Sequence, residues 1–410
     1  MRQYPDVDAA FALQQIAGWQ KAREKLPELA GINVNDNDNA NVNKSDGFTE
    51  WLWPRRLSLE QCSSEVTAKY KRGVMSDGGR LVDLTGGLGV DCYYLSEGFR
   101  EAHYVERDEE LCRLAEHNFA LTGRNIAVHN TTAEEWLERQ TPQSAEPTAP
   151  LFMGAGARDE TTIFLDPARR DGHGGKVFRL EDCEPNVVTL LNILRAHAYR
   201  VLLKLSPMLD ITAALRSLGG AAEVHVVAVR NEVKELLVLL EDGRDSMDPM
   251  IRCVNLGTAE PEFVFRRSEE EKAIAQPMVV EGLLVGERDF VLVEPNAAIL
   301  KAGAFRVFGE RYGVSKLGTN TQLYACPFGA CPELVQKRGP LTAVPGRVFL
   351  VHQASKEELK GLTQANVICR NYPLSAEALK KQLKVKDGGE TYVIGTRIGA
   401  KPVIFVGLRQ

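Results

Sequence analysis

Eleven residues, Leu81 to Asp91, hold the densest chemistry of the 410-residue chain: LVDLTGGLGVD joins an apolar run, an acid, three close glycines and a second acid. The run reads as a strand that stops at Asp83 and a turn in which Gly86, Gly87 and Gly89 let the backbone fold sharply and approach a ligand. A helix then starts near Asp91, where free N–H groups suit a carboxylate or phosphate. Twenty-three residues after Asp83, AHYVERD brings Glu106, with Arg107 beside it, to the end of a second strand. A carboxylate there can accept both hydroxyls of a ribose. The loop is D-L-T-G-G-L-G, not the dinucleotide pattern G-x-G-x-x-G, and Cys92 stands where a third glycine would fall. Asp83 would repel a pyrophosphate and attract an ammonium. Together these features predict S-adenosyl-L-methionine as the ligand, held by Asp83, Thr85, Gly86, Gly87, Gly89 and Asp91 of the loop and by Glu106 and Arg107.

A second constellation, Asp166-Pro167-Ala168-Arg169-Arg170, ends a fourth strand, beside the expected methyl group. Direct transfer to a nucleophile needs mostly positioning and at most one group to take a proton. Asp166 is the candidate for both tasks. The following loop, RRDGHGGKVFRL, sets Arg169, Arg170, Lys176 and Arg179 among glycines, a cation set that suits a phosphate-bearing substrate. His173 lies in the same loop. The next strand, RVLLKLSPMLD, has Lys204, Leu205 and Ser206 but no cysteine, so covalent activation of a pyrimidine ring by a thiolate is not expected. No His, Cys or Asp cluster has metal-ligand spacing, and no metal is predicted.

The elements that must position these groups follow from the alternation of strand-like and helical runs. LVDL, AHYVE, IAVH, TIFLD and RVLLKL are separated by helical segments, as in a parallel sheet covered on both faces. EVHVVAV and ELLVLLE are separated only by residues 230–234, too short for a helical crossover, so an antiparallel hairpin closes the sheet. Residues 6–30 have helical spacing, with Phe11, Leu13, Ile16, Ala17, Trp19 and Leu26 on roughly one side. The Asn/Asp-rich stretch 31–46 buries almost nothing and reads as a mobile loop. Ser63 and Ser64 precede a helical pattern as an N-cap would. Segment 141–160 reads as a surface insertion. The expected organisation is a helical region 1–79, a sheet domain 80–242, and two small α+β modules, 243–340 and 341–410.

The apolar fraction of 44% and the charged fraction of 26% suit a globular protein, and no apolar run approaches the ~20 residues that span a bilayer. MRQYPDVDAA has no hydrophobic signal core, and none of the eight cysteines forms a C-x-x-C pair, so a reducing cytoplasm is the expected location. The net charge of −5 is uneven: from Cys331 onward there are thirteen Lys/Arg against six Asp/Glu. A basic end on an acidic body is drawn to a polyanion at that end alone. Lys381, Lys384 and Lys386 are the candidate phosphate contacts.

Through DLTGGLGVD, YVERD, LDPARR and the closing RNYPLSAEALKKQLKVKDGGE and YVIGTR, the chain resembles a bacterial family of class I methyltransferases with a C-terminal THUMP-like domain. The resemblance runs from about Glu50 to the end. It implies an α/β fold: a Rossmann-like parallel sheet closed by an antiparallel hairpin, a helical N-terminal extension, a ferredoxin-like module around VEPNAAILKAGAF and a THUMP-like end. In HNTTAEEW, Thr132 stands where many methyltransferases carry an adenine-binding Asp; Thr131, Thr132 or the Ala133 backbone is left to serve. Arg169 occupies the place of the aromatic residue found in amine methyltransferases, and guanidinium planes also stack on bases. THUMP domains generally accompany RNA-modifying enzymes, so RNA is the implied substrate. Methylation of a small molecule or protein, and a non-catalytic binding protein on a cofactor fold, stay open as alternatives.

Overall fold

The computed structural model describes residues 8–31, 51–54, 56–140, 161–169, 179–274, 290–327 and 344–410. Most of the Asn/Asp-rich stretch, the 141–160 insertion, Arg170, His173 and Lys176, and the side chain of Arg169 lie outside the described residues. The chain divides into two compact units, Met1–Glu223 with Glu235–Met247, and Val224–Lys234 with Asp248–Gln410.

In the first unit, α1 (Ala9–Lys25), α2 (Arg56–Gln61) and α3 (Glu65–Val74) precede the sheet. Then come β1 (Gly78–Asp83), α4 (Val90–Leu95), β2 (Phe99–Glu106), α5 (Glu109–Ala120), β3 (Ile126–Asn130), α6 (Ala133–Gln140) and β4 (Thr161–Leu165). The short β5 (Ala168–Arg169) and β6 (Cys183–Glu184), α7 (Val187–His197), β7 (Arg200–Leu205) and α8 (Ile211–Leu218) follow; β8 (Glu223–Val229) belongs from Val224 to the second unit, and β9 (Glu232–Glu241) returns to the first at Glu235. Helices start where short polar side chains accept the first free N–H groups: Asp8, Ser64, Asp108, Asn186 and Asp210.

Five parallel strands lie in the order β7-β4-β1-β2-β3. All of β4 is buried, as a central parallel strand between helices must be. The chain leaves β1 for β2 on one side and later returns to β4 on the other, so the strand order reverses between β1 and β4. Open α/β sheets bind ligands outside the carboxyl ends of their strands at such a point. Asp83 ends β1 and Asp166 follows β4, which sets both acids at that switch point. On the outer side of β7, β9 runs antiparallel, pairing Leu205 with Leu236 through Arg200 with Glu241. The closing hairpin is tighter than the 230–234 spacing implied. Only Arg230 and Asn231 turn the chain, with φ of 49° and 68°, the signature of a two-residue turn matched to strand twist.

The N-terminal helices join the same core. Ala22, Leu26, Trp51, Trp53, Leu59 and Ala68 pack with Leu88, Val90 and Tyr94 from the glycine loop and α4. The buried face of α1 is not the large apolar one read from the sequence. Phe11, Leu13 and Ile16 are exposed, while Gly18 and Ala22 face inward. A Cβ on Gly18 would overlap Trp53, so small residues are what let that indole dock.

In the second unit, β10 (Met250–Leu256) and β11 (Phe263–Arg266) pair antiparallel and α9 (Arg267–Lys272) follows. Then come β12 (Phe290–Pro295), α10 (Ala297–Ala302), α11 (Phe305–Tyr312), β13 (Ser315–Gly318), β14 (Thr321–Pro327) and β15 (Gly346–Gln353). Last are α12 (Lys356–Gly361), β16 (Asn366–Cys369), α13 (Ala376–Leu383), β17 (Thr391–Ile398) and β18 (Lys401–Arg409). One seven-stranded sheet, β13-β14-β12-β15-β18-β17-β16, carries both C-terminal modules. Phe290, Leu292, Leu323, Phe349, Ile394 and Phe405 share its core.

Candidate active site

The loop after β1 is fixed by its neighbours on both sides. Leu84 donates its N–H to Phe164 O at 3.0 Å, and Gly86 donates to Val105 O at 2.9 Å. Tyr104, fully buried on β2, donates its hydroxyl to Gly87 O at 2.5 Å. Its ring fills the space a Cβ on Gly86 would need. Gly89 has φ of 81°, and a Cβ there would sit 2.7 Å from Phe119. The glycines therefore serve the close approach of loop to strand as well as the turn.

Asp83 is 1% exposed. Its Oδ1 accepts the Thr85 N–H at 3.0 Å, whereas its Oδ2 is buried with no hydrogen-bond partner. Burial pushes this carboxyl well above the usual aspartate range despite the Thr85 bond, and Asp91, Asp166 and Glu106 add to the rise. A buried acceptor without a donor is costly, and an incoming ammonium would satisfy it. Glu106 is already oriented: Gly87 N–H reaches its Oε2 and Asp108 N–H its Oε1, each at 2.9 Å. Each carboxylate oxygen has a further lone pair, so the group can still receive two hydroxyls. Thr131 N–H bonds Glu106 O at 3.0 Å and draws the end of β3 alongside. Thr132 accepts the Glu135 N–H at 3.2 Å and so caps α6. These donor and acceptor positions fit an amino-acid-tailed nucleoside such as S-adenosylmethionine.

Arg107 points elsewhere. Its side chain is 64% exposed and pairs with Glu184 of β6 at 2.6 Å. Arg179 is exposed, and Arg169 contributes backbone to the β5–β6 ribbon opposite Cys183.

Asp166 is bound to the loop through its own backbone, donating its N–H to Thr85 Oγ1 at 2.6 Å. Its Oδ2 takes a short charged bond from Lys204 of β7, while nothing among the described residues donates to its Oδ1. Behind this pair lies a cluster of buried charge. Lys204 Nζ is 3.9 Å from Asp91 Oδ2. Asp91 meets Lys71 of α3 at 3.2 Å and accepts the Ser63 hydroxyl at 2.6 Å. Lys71 bonds both oxygens of Glu235 on β9 at 2.9 Å. Burial works against the Lys204 charge, but Asp166, Asp91 and Glu235 outweigh it and hold the ammonium above the ordinary lysine range. Burial alone would raise Asp91, yet Lys71 and Lys204 bring it below the usual range.

Asp91 thus faces Lys71 and Ser63 and is buried. Ser64, not Ser63, caps α3, accepting the Thr67 N–H at 3.3 Å. Lys204, Lys71 and Glu235 did not enter the sequence reading as site residues. The available signal was Lys204 itself: a lysine in the middle of RVLLKL, a strand otherwise apolar, requires a buried partner.

In the second unit, Lys381, Lys384 and Lys386 are exposed, and no ion pair forms at them among the described residues. Lys381 is on α13. Lys384 is its C-cap with φ of 57°, so the helix ends there and Lys386 lies beyond it. Lys380 is held by Asp387. Among the described residues no helix is long and apolar enough to cross a membrane.

Residues 292–327 match the ferredoxin-like domain family and residues 346–409 the THUMP domain-like family. A crystal structure assigned as that of a methyltransferase from Porphyromonas gingivalis W83 is 32% identical in sequence and superposes with a TM-score of 0.77, over 99% of this chain and 92% of that one. An uncharacterized S-adenosylmethionine-dependent methyltransferase of Mycobacterium tuberculosis strain H37Rv is 23% identical over 364 residues, 86% of this chain and 87% of the relative.

Proposed function

Because the chain belongs to the class I S-adenosylmethionine-dependent methyltransferases that carry ferredoxin-like and THUMP-like domains, we propose that it methylates RNA by direct transfer, without a cysteine nucleophile. When bound, S-adenosylmethionine supplies a methyl group on a sulfonium and leaves as S-adenosylhomocysteine. In this reading Asp83 Oδ2 receives the ammonium and Glu106 the ribose hydroxyls, while the Thr131–Thr132 turn borders the adenine. Asp166 accepts an N–H or O–H from the methyl acceptor, which aims its lone pair, and takes that proton as the new bond to carbon forms.

The observation that carries the transfer reading is the Thr85–Asp166 bond, because the loop that suits the cofactor also fixes the carboxylate that suits the acceptor. Support for RNA comes from the THUMP-like segment and its exposed lysines. The organisation we favour is a helical region 1–79, a methyltransferase domain 80–242, a ferredoxin-like module 243–340 and a THUMP-like domain 341–410. Cys62, Cys92, Cys112, Cys253 and Cys369 are free thiols, in keeping with work in the cytoplasm. The test is transfer of labelled methyl from S-adenosylmethionine to fractionated bacterial RNA, followed by nuclease digestion. Nuclease-sensitive label supports the reading. Label that enters only protein or small-molecule fractions overturns it.

A further inference from the structure

Five ionisable side chains run outward from the interior of the first unit: Lys71, Glu235, Asp91, Lys204 and Asp166. Exposure grows along the series, from 0% for the Lys71 side chain through 12% for Lys204 to 37% for Asp166. Such a series is a poor way to stabilise a core. A buried ion pair roughly offsets its own desolvation, and apolar residues of similar volume are often as good or better. Its members come from four separate elements, α3, the start of α4, β7 and β9, and the series ends at one partly exposed carboxylate after β4. We propose that Lys204 is a positioning residue for Asp166: it engages Oδ2, so that Oδ1 alone is presented to the methyl acceptor.

Three features of the geometry support the assignment. Lys204 and the Thr85 hydroxyl grip Asp166 from opposite ends, one at the side chain and one at the backbone, which leaves the carboxylate little rotational freedom. Lys204 is itself placed by Asp91, and Asp91 is fixed by Ser63 and Lys71. Lys71 in turn is bound by both Glu235 oxygens and donates to the Ser63 hydroxyl at 3.0 Å. Residues 63–71, before the sheet begins, therefore belong to the apparatus that orients the acceptor. A carboxylate paired in this way serves as a directed hydrogen-bond acceptor in a site where a misaimed lone pair is expensive.

The inference rests on the transfer reading of Asp166, and its test separates the two. Wild type, K204M and K204R are compared as full chains, with S-adenosylhomocysteine affinity as the check on folding. K204Q, which keeps a donor without the charge, replaces K204M if the latter does not bind. The chain carries carbon-13 at aspartate carboxyls, with the Asp166 resonance assigned by its loss in D166N. We expect K204M to displace that resonance and K204R to restore it towards the wild-type position. With fractionated RNA, K204M loses at least tenfold in kcat, while KM and S-adenosylhomocysteine affinity change by less than about threefold. K204R recovers much of the loss. An Asp166 resonance and a kcat that ignore K204M and K204Q overturn the assignment. If wild type transfers no methyl to any RNA fraction, the RNA reading fails, and the carboxyl resonance still decides the place of Lys204.

Discussion

Charge beneath the glycine loop is buried and matched partner to partner, whereas the lysines around α13 are exposed and, for Lys381, Lys384 and Lys386, without ion pairs among the described residues. The first arrangement fixes atoms. Removing one member leaves its partner as an uncompensated charge in a low dielectric, so position is enforced by a large penalty. The second arrangement fixes little, because flexible ammonium groups in water keep their freedom and are screened by salt. One region holds geometry, and the other, in the proposed reading, attracts a large anion from any of several approaches. Substitutions in the two regions should therefore differ in kind as well as in size.

The largest effect is expected at the exit of the buried series. Asp166→Ala should lower methyl transfer by about 10²–10⁴-fold, the range of a positioned acid or base, with S-adenosylhomocysteine binding within a few-fold. Near-full transfer to the true substrate would remove Asp166 from its role. Further in, Lys71→Met leaves Glu235 and Asp91 short of a cation and should cost about 3–5 kcal/mol in denaturant unfolding, while K71M/E235M should be close to neutral. If the double variant is as damaged as the single one, the series is not a matched set.

Cofactor contacts come next. Glu106→Ala removes acceptors for charge-assisted bonds worth roughly 1.5–3 kcal/mol, so S-adenosylhomocysteine should bind about ten- to a hundred-fold more weakly by calorimetry. An unchanged dissociation constant would exclude Glu106. Asp83 adds a pH dependence. Its folded carboxyl titrates well above the ordinary aspartate value, so over the interval between the two the folded chain holds a proton that the unfolded chain has lost. Stability of the free protein should accordingly fall as pH rises through that interval, and Asp83→Asn should flatten the slope. Ammonium binding favours the ionised form, so S-adenosylhomocysteine uptake in the same interval should release a proton, seen as a dependence of binding heat on buffer ionisation. Identical unfolding slopes for the two proteins would show that Asp83 is satisfied in some other way.

The sequence made the sheet and its switch point legible for a clear reason. Parallel strands covered on both faces must be apolar runs, and glycines at 86, 87 and 89 with acids at strand ends leave a local pattern. The hairpin was legible too, although its turn was not, because Arg230 and Asn231 adopt positive φ without a glycine to announce it. The burial of α1 ran against its periodicity, since Trp53, 35 residues further along, selects the small face of Gly18 and Ala22. The charge series was hidden for the same reason. Lys71, Asp91, Lys204 and Glu235 are separated by up to 164 residues, and only Lys204, inside the apolar run RVLLKL, announces a buried partner by itself. Long-range pairing of charges has no period to read.

The smallest effect per residue is expected among the exposed lysines, and it sharpens the comparison because it depends on salt. Phosphate contacts release counterions, so the logarithm of RNA affinity should fall linearly with the logarithm of salt concentration, at about −0.7 per contact for single strands. Replacing Lys381, Lys384 and Lys386 together by Ala should flatten that slope by about 2 if all three touch phosphate. Affinity should fall with it, most strongly at low salt and hardly at all where screening already dominates. These side chains hold no partner in place, so melting temperature and S-adenosylhomocysteine affinity should stay near wild type. The decisive measurement is filter binding of total transfer and ribosomal RNA by wild type and triple variant across a salt series. RNA binding that ignores both salt and the three substitutions would mean that this lysine group does not attract the polyanion, and weight would move to a small-molecule acceptor. A steep slope unchanged by the substitutions would keep RNA as the substrate and shift its landing surface to other cations of the chain.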